Sequence, residues 1–370
     1  MASVPVEYDP VLSSTSSPIL MFVNSGSGGG LALDLIDYLS NVPSILIVKL
    51  PEEAKIWQNS NREFLFQPNL CVVAAGGDGT VNWVMQMLNS FYEDSPESRP
   101  PMAVFPFGTG NDMSRSLGWG SGMCRCDLPK IHQTLQKIAS ATHREDVDMW
   151  NITITNKRTK SIRSQPMINY FSIGVDAAIC VTFSKLRDKL RPLLFNSLIS
   201  KSLYVPAGIY RMCGIPSLCD YSKIETHHTL PRRIFNPNRS DSADLMPISV
   251  SPSDEPAELE LLRPSKDFDT IVFQAIPSIY GGADLLSNTY VARAMNDGVL
   301  ETVLVSGALR LALNHIGINL AKYFGQTDHV KIETIQPCFY QIDGEGFELN
   351  DPVIFEMTHV GSYPMIFAPQ

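Results

Sequence analysis

Three times in its N-terminal third the chain ends an apolar run of strand length in a cluster of glycines. "PILMFVN" (18–24) stops at "SGSGGG", "NLCVVAAGG" (69–77) continues into "DGT", and "PMAVFPFGTGND" (101–112) carries its own glycine turn. Between them, "LALDLIDYLS" (31–40) places Leu31, Leu35 and Leu39 at helical spacing, "SILIVKL" (44–50) reads as another strand, and "TVNWVMQMLNSF" (80–91) reads as a helix. Strands alternating with helices, with glycines at the strand C-terminal ends, predict a doubly wound parallel α/β sheet. In such sheets ligands bind beyond the strand C-termini, so the three turns converge on one crevice.

After about residue 147 the pattern changes. "MWNITITN", "MINYFSIGVDA", "FDTIVFQAIPS", "GVLETVLVS", "DHVKIETI", "CFYQIDGEGFEL" and "PVIFEMTHV" read as strands with few helices between them, apart from one expected at 181–204. The expectation is a disordered tail over 1–17, an α/β domain over 18–146, and a mainly antiparallel β domain over 147–370, with the active site in the cleft between the domains. Residues 212–257, rich in Pro, Ser and Asp, read as a disordered insertion of the second domain.

Charge and cysteines narrow the function classes. A net charge of −9 argues against broad nucleic-acid binding and against general attraction to an anionic membrane. Seven cysteines include no Cys-x-x-Cys pair, so neither a disulfide framework nor a zinc finger is expected, and a reducing compartment is. The opening segment lacks the basic and apolar regions of a signal peptide, Ala2 breaks the myristoylation pattern, and no uncharged apolar run has membrane-span length. A cytoplasmic protein is expected.

The glycine turns fit neither common nucleotide signature. No glycine is followed by lysine, which excludes the P-loop, and each Gly-x-Gly fails the dinucleotide fingerprint at its third glycine. Asp78, inside "GGDGT", is the odd residue. As a helix N-cap it would contribute about 1 kcal/mol and need no ligand. Capping, however, does not call for Gly76, Gly77 and Gly79 together, and "FGTGND" repeats the composition at another strand end. A carboxylate about 4 Å from a phosphate charge costs on the order of 4 kcal/mol at an effective dielectric near 20. A helix N-terminus returns only about 0.3–1 kcal/mol. A divalent cation can reconcile the two anions, so Asp78 is expected to mark a Mg-nucleotide site.

"FVNSGSGGG", "GGDGTVNWV", "FPFGTGNDMSRSLGWG", "NYFSIGVDA", "FNSLISKSLYV", "IPSIYGGADLL", "DGVLE" and "QIDGEGF" occur in the order seen in diacylglycerol kinases, and over residues 18–360 the chain resembles that family, with 212–257 unmatched. GGDGT alone is shared with sphingosine, ceramide and NAD kinases; GTGND followed by LGWG, with the later IPS…GG and DGE, is specific to the diacylglycerol branch. The resemblance implies ATP-dependent phosphorylation of the free hydroxyl of diacylglycerol to phosphatidic acid, with ATP and Mg²⁺. It makes 18–146 the nucleotide-binding domain and 147–370 the accessory, lipid-binding one.

Carried over by motif, Asn24, Gly28 and Gly29 belong to the nucleotide pocket, Gly76, Gly77, Gly79 and Thr80 to the phosphate loop, and Gly108, Thr109, Gly110, Asn111 and Asp112 to its second wall. Asp343 and Glu345 match the DGE motif, with Asp343 and Asp78 both candidates for the general base, and Asp78 and Glu345 for the metal. Asp-Gly is also a strong hairpin signal, and the two readings of "DGE" can coexist. Asp148 and Asp176 are candidate substrate contacts or solvated hinge residues. Ser25 stands where the family usually has proline, which is expected to loosen the first loop. The Cys/His-rich modules and EF-hand loop of many animal members are missing, so zinc-dependent sensing and calcium control are not expected within this chain.

The partner implied is diacylglycerol at a membrane surface, reached peripherally and transiently, with no nucleic acid. "FSKLRDKLRPLLF" (183–195) could supply the contact, with Phe183, Leu186, Leu190 and Leu194 on one face and Lys185, Arg187, Lys189 and Arg191 adding charge; it reads equally as an amphipathic helix packed on the β domain. "PRRIF" (231–235) is a second candidate. The rival functions are a kinase of ceramide, a sphingoid base or monoacylglycerol, and an inactive lipid- or nucleotide-binding scaffold.

Overall fold

A computed structural model describes residues 17–54, 62–190, 222–229, 260–262, 268–287, 293–306 and 321–369, with 62–63, 186–190, 222–229 and 260–262 described through the backbone. The N-terminal strands β1 (Ile19–Asn24), β2 (Ile45–Leu50), β3 (Cys71–Gly76) and β4 (Met102–Pro106) pair in parallel in the order β2-β1-β3-β4. Both faces are covered, as the continuous apolar runs require. Leu20 and Phe22 of β1 face the helix α3 (Asp78–Phe91) through Val81, Val84, Met85 and Leu88. Ile19, Met21 and Val23 face α1 (Leu31–Leu39) and α5 (Ile131–Ala139) on the other side. Burying each Leu, Ile or Met here stabilises the fold by about 1.5–3 kcal/mol. Two short helices, α2 (Arg62–Leu65) and α4 (Asp112–Ser116), complete this region.

The antiparallel region holds β5 (Arg144–Asn156), β6 (Ile162–Met167), β7 (Tyr170–Gly174), β8 (Ser222–Thr229), β9 (Glu260–Leu262), β10 (Thr270–Gln274), β11 (Leu300–Val305), β12 (Lys322–Thr334), β13 (Cys338–Ile342), β14 (Glu345–Leu349) and β15 (Val353–Ile366). Its core is aromatic, with Trp150, Phe171, Phe273, Tyr340 and Phe355 in one cluster. The helix α6 (Val175–Leu190) lies over it, so close that a Cβ on Gly346 of β14 would come 2.7 Å from the Val181 nitrogen.

Strand β15 joins the two regions. It pairs antiparallel with β5 and β12, then places Met365 in parallel register with Met102 of β4, so the 15 strands of the described residues form one sheet. Tyr363 and Met365 enter the core under α3, beside Val147 and Met149 of β5. A division at 146/147 therefore falls inside β5, and the end of the chain returns to the first region.

Several expectations change. Residues 222–229, placed in the disordered insertion, form β8, pairing Ile224 with Ile332 and Thr226 with Val330 of β12; with Ile224 as its one apolar residue, the segment has no alternating pattern of its own and is fixed by its pairing. The helix expected at 181–204 begins at Val175, and its Phe183 is buried rather than turned to a membrane, while Lys185 Nζ pairs with Glu348 at 2.8 Å. Cys124 and Cys126 form a disulfide, where no disulfide framework was expected; a one-residue spacing carries no recognised signal. Residues 1–16, the rest of 212–257 including 231–235, and 191–195 lie outside the described residues.

Candidate active site

The glycines of the two central turns serve first to let the turns meet. A Cβ on Gly108 would lie 2.5 Å from the Gly77 Cα, and one on Gly76 would lie 2.3 Å from Thr80 Oγ1. Gly110 sits between two acids, with Asp78 Oδ2 and Asp112 Oδ2 at 3.2 and 3.3 Å from its would-be Cβ. The first loop is tied to the same place, because Asn24 Nδ2 donates to Thr80 Oγ1 (3.1 Å) and Asn24 Oδ1 accepts from Gly26 N–H (3.1 Å). Gly28 and Gly29 take left-handed φ values of 67° and 60° there. Ser25 does not loosen this loop: its hydroxyl donates to the Leu50 carbonyl at 3.1 Å.

Asp78 is the first residue of α3, yet its carboxylate caps a different helix. Oδ2 accepts from Asp112 N–H (3.1 Å) and Oδ1 from Met113 N–H (3.0 Å), the first two amides of α4. Asn111 closes the turn before α4, accepting from Gly108 N–H and donating to the Gly108 carbonyl, both at 2.8 Å. Its side chain is thereby occupied, while Thr109 stays part-exposed on the turn's rim. Asp112 turns away from the glycine loops. It accepts from Ser278 Oγ (2.7 Å), Gly281 N–H (3.0 Å) and Gly282 N–H (3.1 Å), across the cleft in the antiparallel region. Burial pushes its pKa up to about 6, and the Asp78 charge adds to the rise. The "IPSIYGG" segment is thus the socket of an interdomain latch. Gly282, at φ 119°, leaves room for Arg115, whose Nη1 would lie 2.7 Å from a Cβ.

Asp343 ends the β13–β14 hairpin in a left-handed conformation, φ 49°. The hairpin and the acid of "DGE" are one feature. Four donors hold its carboxylate: Asn169 N–H (2.8 Å) and Tyr170 N–H (3.0 Å) on Oδ1, Asn82 Nδ2 (2.9 Å) and Ile168 N–H (3.0 Å) on Oδ2. Burial raises its pKa to about 7; the three backbone N–H groups oppose the rise, and the charge of Asp78 adds to it. Asn82 lies one helical turn beyond Asp78 on α3, so that helix presents "GGDGT" and a ligand of the "DGE" acid along one face. The i+4 spacing was the available signal for Asn82, which sequence reasoning passed over. Glu345 is exposed at the start of β14, and its Oε1 would lie 3.8 Å from a Cβ on Gly79. Asp78, Gly79, Asn82, Asp343 and Glu345 therefore converge across the cleft, beside a cavity of about 280 Å³.

Asp148 and Asp176 do not join them. Asp148 is 3% exposed, with Oδ2 accepting from Gly298 N–H (2.7 Å) and Oδ1 lying 2.9 Å from His359 Nε2; it clasps β5 to the "DG" loop and to β15. Asp176, the second residue of α6, is buried; Ser172, Gln341 and Tyr280 donate to its Oδ2, and burial raises its pKa. Neither is a solvated hinge residue, and neither offers its carboxylate to the cleft.

The family model described as Diacylglycerol kinase catalytic domain matches residues 18–149, and the Diacylglycerol kinase accessory domain matches residues 166–346. The chain belongs to the diacylglycerol kinase family. "Probable diacylglycerol kinase 3" of Caenorhabditis elegans is 28% identical over 392 residues, covering 96% of this chain and 44% of its own length. "Diacylglycerol kinase 1" of Arabidopsis thaliana is 27% identical over 370 residues, covering 96% and 45%. The chain thus spans less than half the length of these curated relatives. A solved structure of a diacylglycerol kinase from Bacillus anthracis str. Sterne shares the fold at a TM-score of 0.52 and 18% identity, covering 95% of this chain and 97% of that one. Within the diacylglycerol kinase match, Asp112 lies in the catalytic segment and its socket in the accessory one, as do the two partners Asn82 and Asp343.

That partnership makes a prediction. Asn82→Leu removes a donor to the ionised form of Asp343, so the Asp343 pKa should rise. If Asp343 must be ionised to act, the acid limb of the pH–rate profile should shift to higher pH, with kcat above the limb less affected. An unmoved limb would separate Asn82 from the titrating group.

Proposed function

We propose that this protein transfers the γ-phosphoryl group of ATP to the free hydroxyl of diacylglycerol, giving phosphatidic acid, in the cleft between its α/β and antiparallel regions. The observation carrying this reading is the Asp343 carboxylate, held by four donors within electrostatic reach of Asp78 at the N-terminus of α3. A base with a pKa near neutrality suits removal of a hydroxyl proton at neutral pH. The acceptor oxygen bonds to the γ-phosphorus, the bond from that phosphorus to the β–γ bridging oxygen breaks, ADP leaves, and the hydroxyl proton passes to Asp343. Asp343 must release one of its four hydrogen bonds to take the proton, while Asp78, with one amide on each oxygen, is assigned to the cation.

The nucleotide phosphates are assigned to the N-terminus of α3 and the turns around Asn24, Gly77 and Gly108, where backbone N–H groups and the helix dipole favour anions. Residues 18–146 would carry the nucleotide, and 147–370 the lipid. The donor set fits Mg²⁺: Asp78 keeps a free lone pair on each oxygen, and the Glu345 carboxylate has no hydrogen bond or ion pair among the described residues. When bound, the ion would neutralise the phosphate charge that Asp78 and Glu345 otherwise oppose. Chelation of divalent cations should abolish transfer. Glu345→Gln should raise the Mg²⁺ concentration for half-maximal rate at least roughly tenfold, an effect titration of the rate against Mg²⁺ would detect.

No helix among the described residues is long and apolar enough to cross a membrane. A bilayer lipid as acceptor would bring the protein peripherally and transiently to the lipid surface. Transfer from labelled ATP to diacylglycerol, ceramide and sphingosine in mixed micelles tests the function. Preference for diacylglycerol supports it; a preference for ceramide or sphingosine moves the protein to a neighbouring lipid kinase, and transfer to no lipid favours a scaffold.

A further inference from the structure

The cavity beside Asp343 has a constructed polarity that phosphate transfer alone does not explain. One wall is a single stripe of α3: Gly79, Asn82, Trp83 and Gln86, spaced i, i+3, i+4 and i+7. Facing it are Gln165 and Pro166 from β6, and Ile342 and Phe347 from the hairpin. Trp83, Pro166, Ile342 and Phe347 make the lining largely apolar. Trp83 is 38% exposed, a large aromatic surface left open at the mouth of a cleft. Such surface is costly to leave wet, and it is suited to contact with methylene groups.

Two polar atoms in this wall have no partner. Asn82 is 9% exposed, and its Oδ1 is buried without a donor, although its Nδ2 serves both Asp343 and the Pro166 carbonyl. Gln86 Nε2 is likewise buried without an acceptor. Buried polar groups are normally satisfied, so one acceptor and one donor in a cavity wall call for a ligand carrying one of each. The charges lining the cavity are both carboxylates, Asp343 and Glu345, and no Lys, Arg or His lines it among the described residues. An anionic head would meet two like charges there and no cationic side chain among those residues.

We propose that the α3 stripe is the acceptor subsite, and that it selects an uncharged head bearing a hydroxyl and a carbonyl oxygen next to methylene chains. Gln86 Nε2 donates to the carbonyl oxygen, Asn82 Oδ1 accepts from the hydroxyl in the bound ground state until that hydrogen turns to Asp343 for transfer, and Trp83 with Phe347 flanks the first methylenes. This rests on the reading of Asp343 as the base, since it places the hydroxyl beside that carboxylate. Gln86 and Trp83 are then specificity-determining residues, and "GGDGT" and the lipid head share one helix.

The test separates recognition from transfer by measuring binding without ATP. Short-chain dioctanoylglycerol and its dioctyl ether counterpart, which lacks both carbonyls, are titrated calorimetrically below their micelle-forming concentrations. The wild type should bind the ester about tenfold more tightly than the ether, the ratio that ~1.4 kcal/mol produces. Gln86→Leu should erase that ratio by weakening the ester alone. Trp83→Ala should weaken both ligands together, and Trp83→Phe should restore most of the loss. ATP binding, measured on each variant, should stay at wild-type values; the melting temperature should hold in Gln86→Leu and Trp83→Phe and fall in Trp83→Ala, which loses the edge-on contact with Phe22. An ester-to-ether ratio retained in Gln86→Leu, or equal binding of both lipids by the wild type, would overturn the subsite. Failure of the wild type to phosphorylate any lipid, with the binding pattern intact, would instead overturn the kinase reading.

Discussion

Replacement of Asp343 by asparagine is expected to lower kcat for transfer to diacylglycerol by about 10²–10⁴-fold, the contribution of a positioned general base. The wild-type rate should fall about tenfold per pH unit below an apparent pKa near 7, because burial raises the acid to that value and only its ionised form can accept the proton. The residual rate of the variant should lack this limb. Each Asp343 oxygen accepts from two N–H donors, so an amide nitrogen placed on either side faces two hydrogens. Leaving such donors unpaired costs about 1–3 kcal/mol, and a lower melting temperature should accompany the kinetic loss. The pH limb separates the two effects, since a purely structural lesion of the hairpin would leave it in place. A variant that kept its limb and lost less than about tenfold would pass the base to Asp78.

Local pattern carried much of this molecule. Alternating strands and helices, glycines at strand ends and an Asp-Gly turn each reflect the backbone's own preferences, and β1, β3, α3 and the β13–β14 hairpin follow them. What could not be read is the identity of long-range partners. The carboxylate of Asp112 reaches Ser278, Gly281 and Gly282, which no local signal predicts, and the same holds for Asp148 with Gly298 and His359. Strand β15 looks like any half-buried strand, and nothing in its pattern says that Met365 will lie against Met102. The strand β8 is silent for a different reason, because "SKIETHHT" has one apolar residue, Ile224, and no alternation marks it in a Pro/Ser-rich neighbourhood. Convergence of "GGDGT" and "DGE" was legible only through resemblance, and Asn82 supplies its physical link.

The latch at Asp112 makes the second large prediction. Asp112→Ala removes the common acceptor of Ser278 Oγ and the Gly281 and Gly282 amides, leaving buried donors with no partner. Leaving a buried donor unsatisfied costs about 1–3 kcal/mol, and three donors lose their acceptor here. Asp112→Asn should be milder, because one carbonyl oxygen can keep the three bonds now made to Oδ1. The damage should appear between the regions, as earlier proteolysis of the 277–282 loop and a broadened or split calorimetric transition, and as a loss of kcat when Asp343 and Asp78 no longer face one another. The pH dependence has a definite sign. Burial raises the folded-state pKa from 3.8 to about 6, so the folded protein holds this proton more tightly than the unfolded chain. The stability due to that shift is complete below pH 3.8 and declines as the pH rises through 6. In Asp112→Asn that slope should disappear, which denaturant melts at pH 4, 5, 6 and 7 would resolve. A wild type and variant with parallel pH profiles would mean that Asp112 stays ionised in its socket, and that the latch is held by charge throughout.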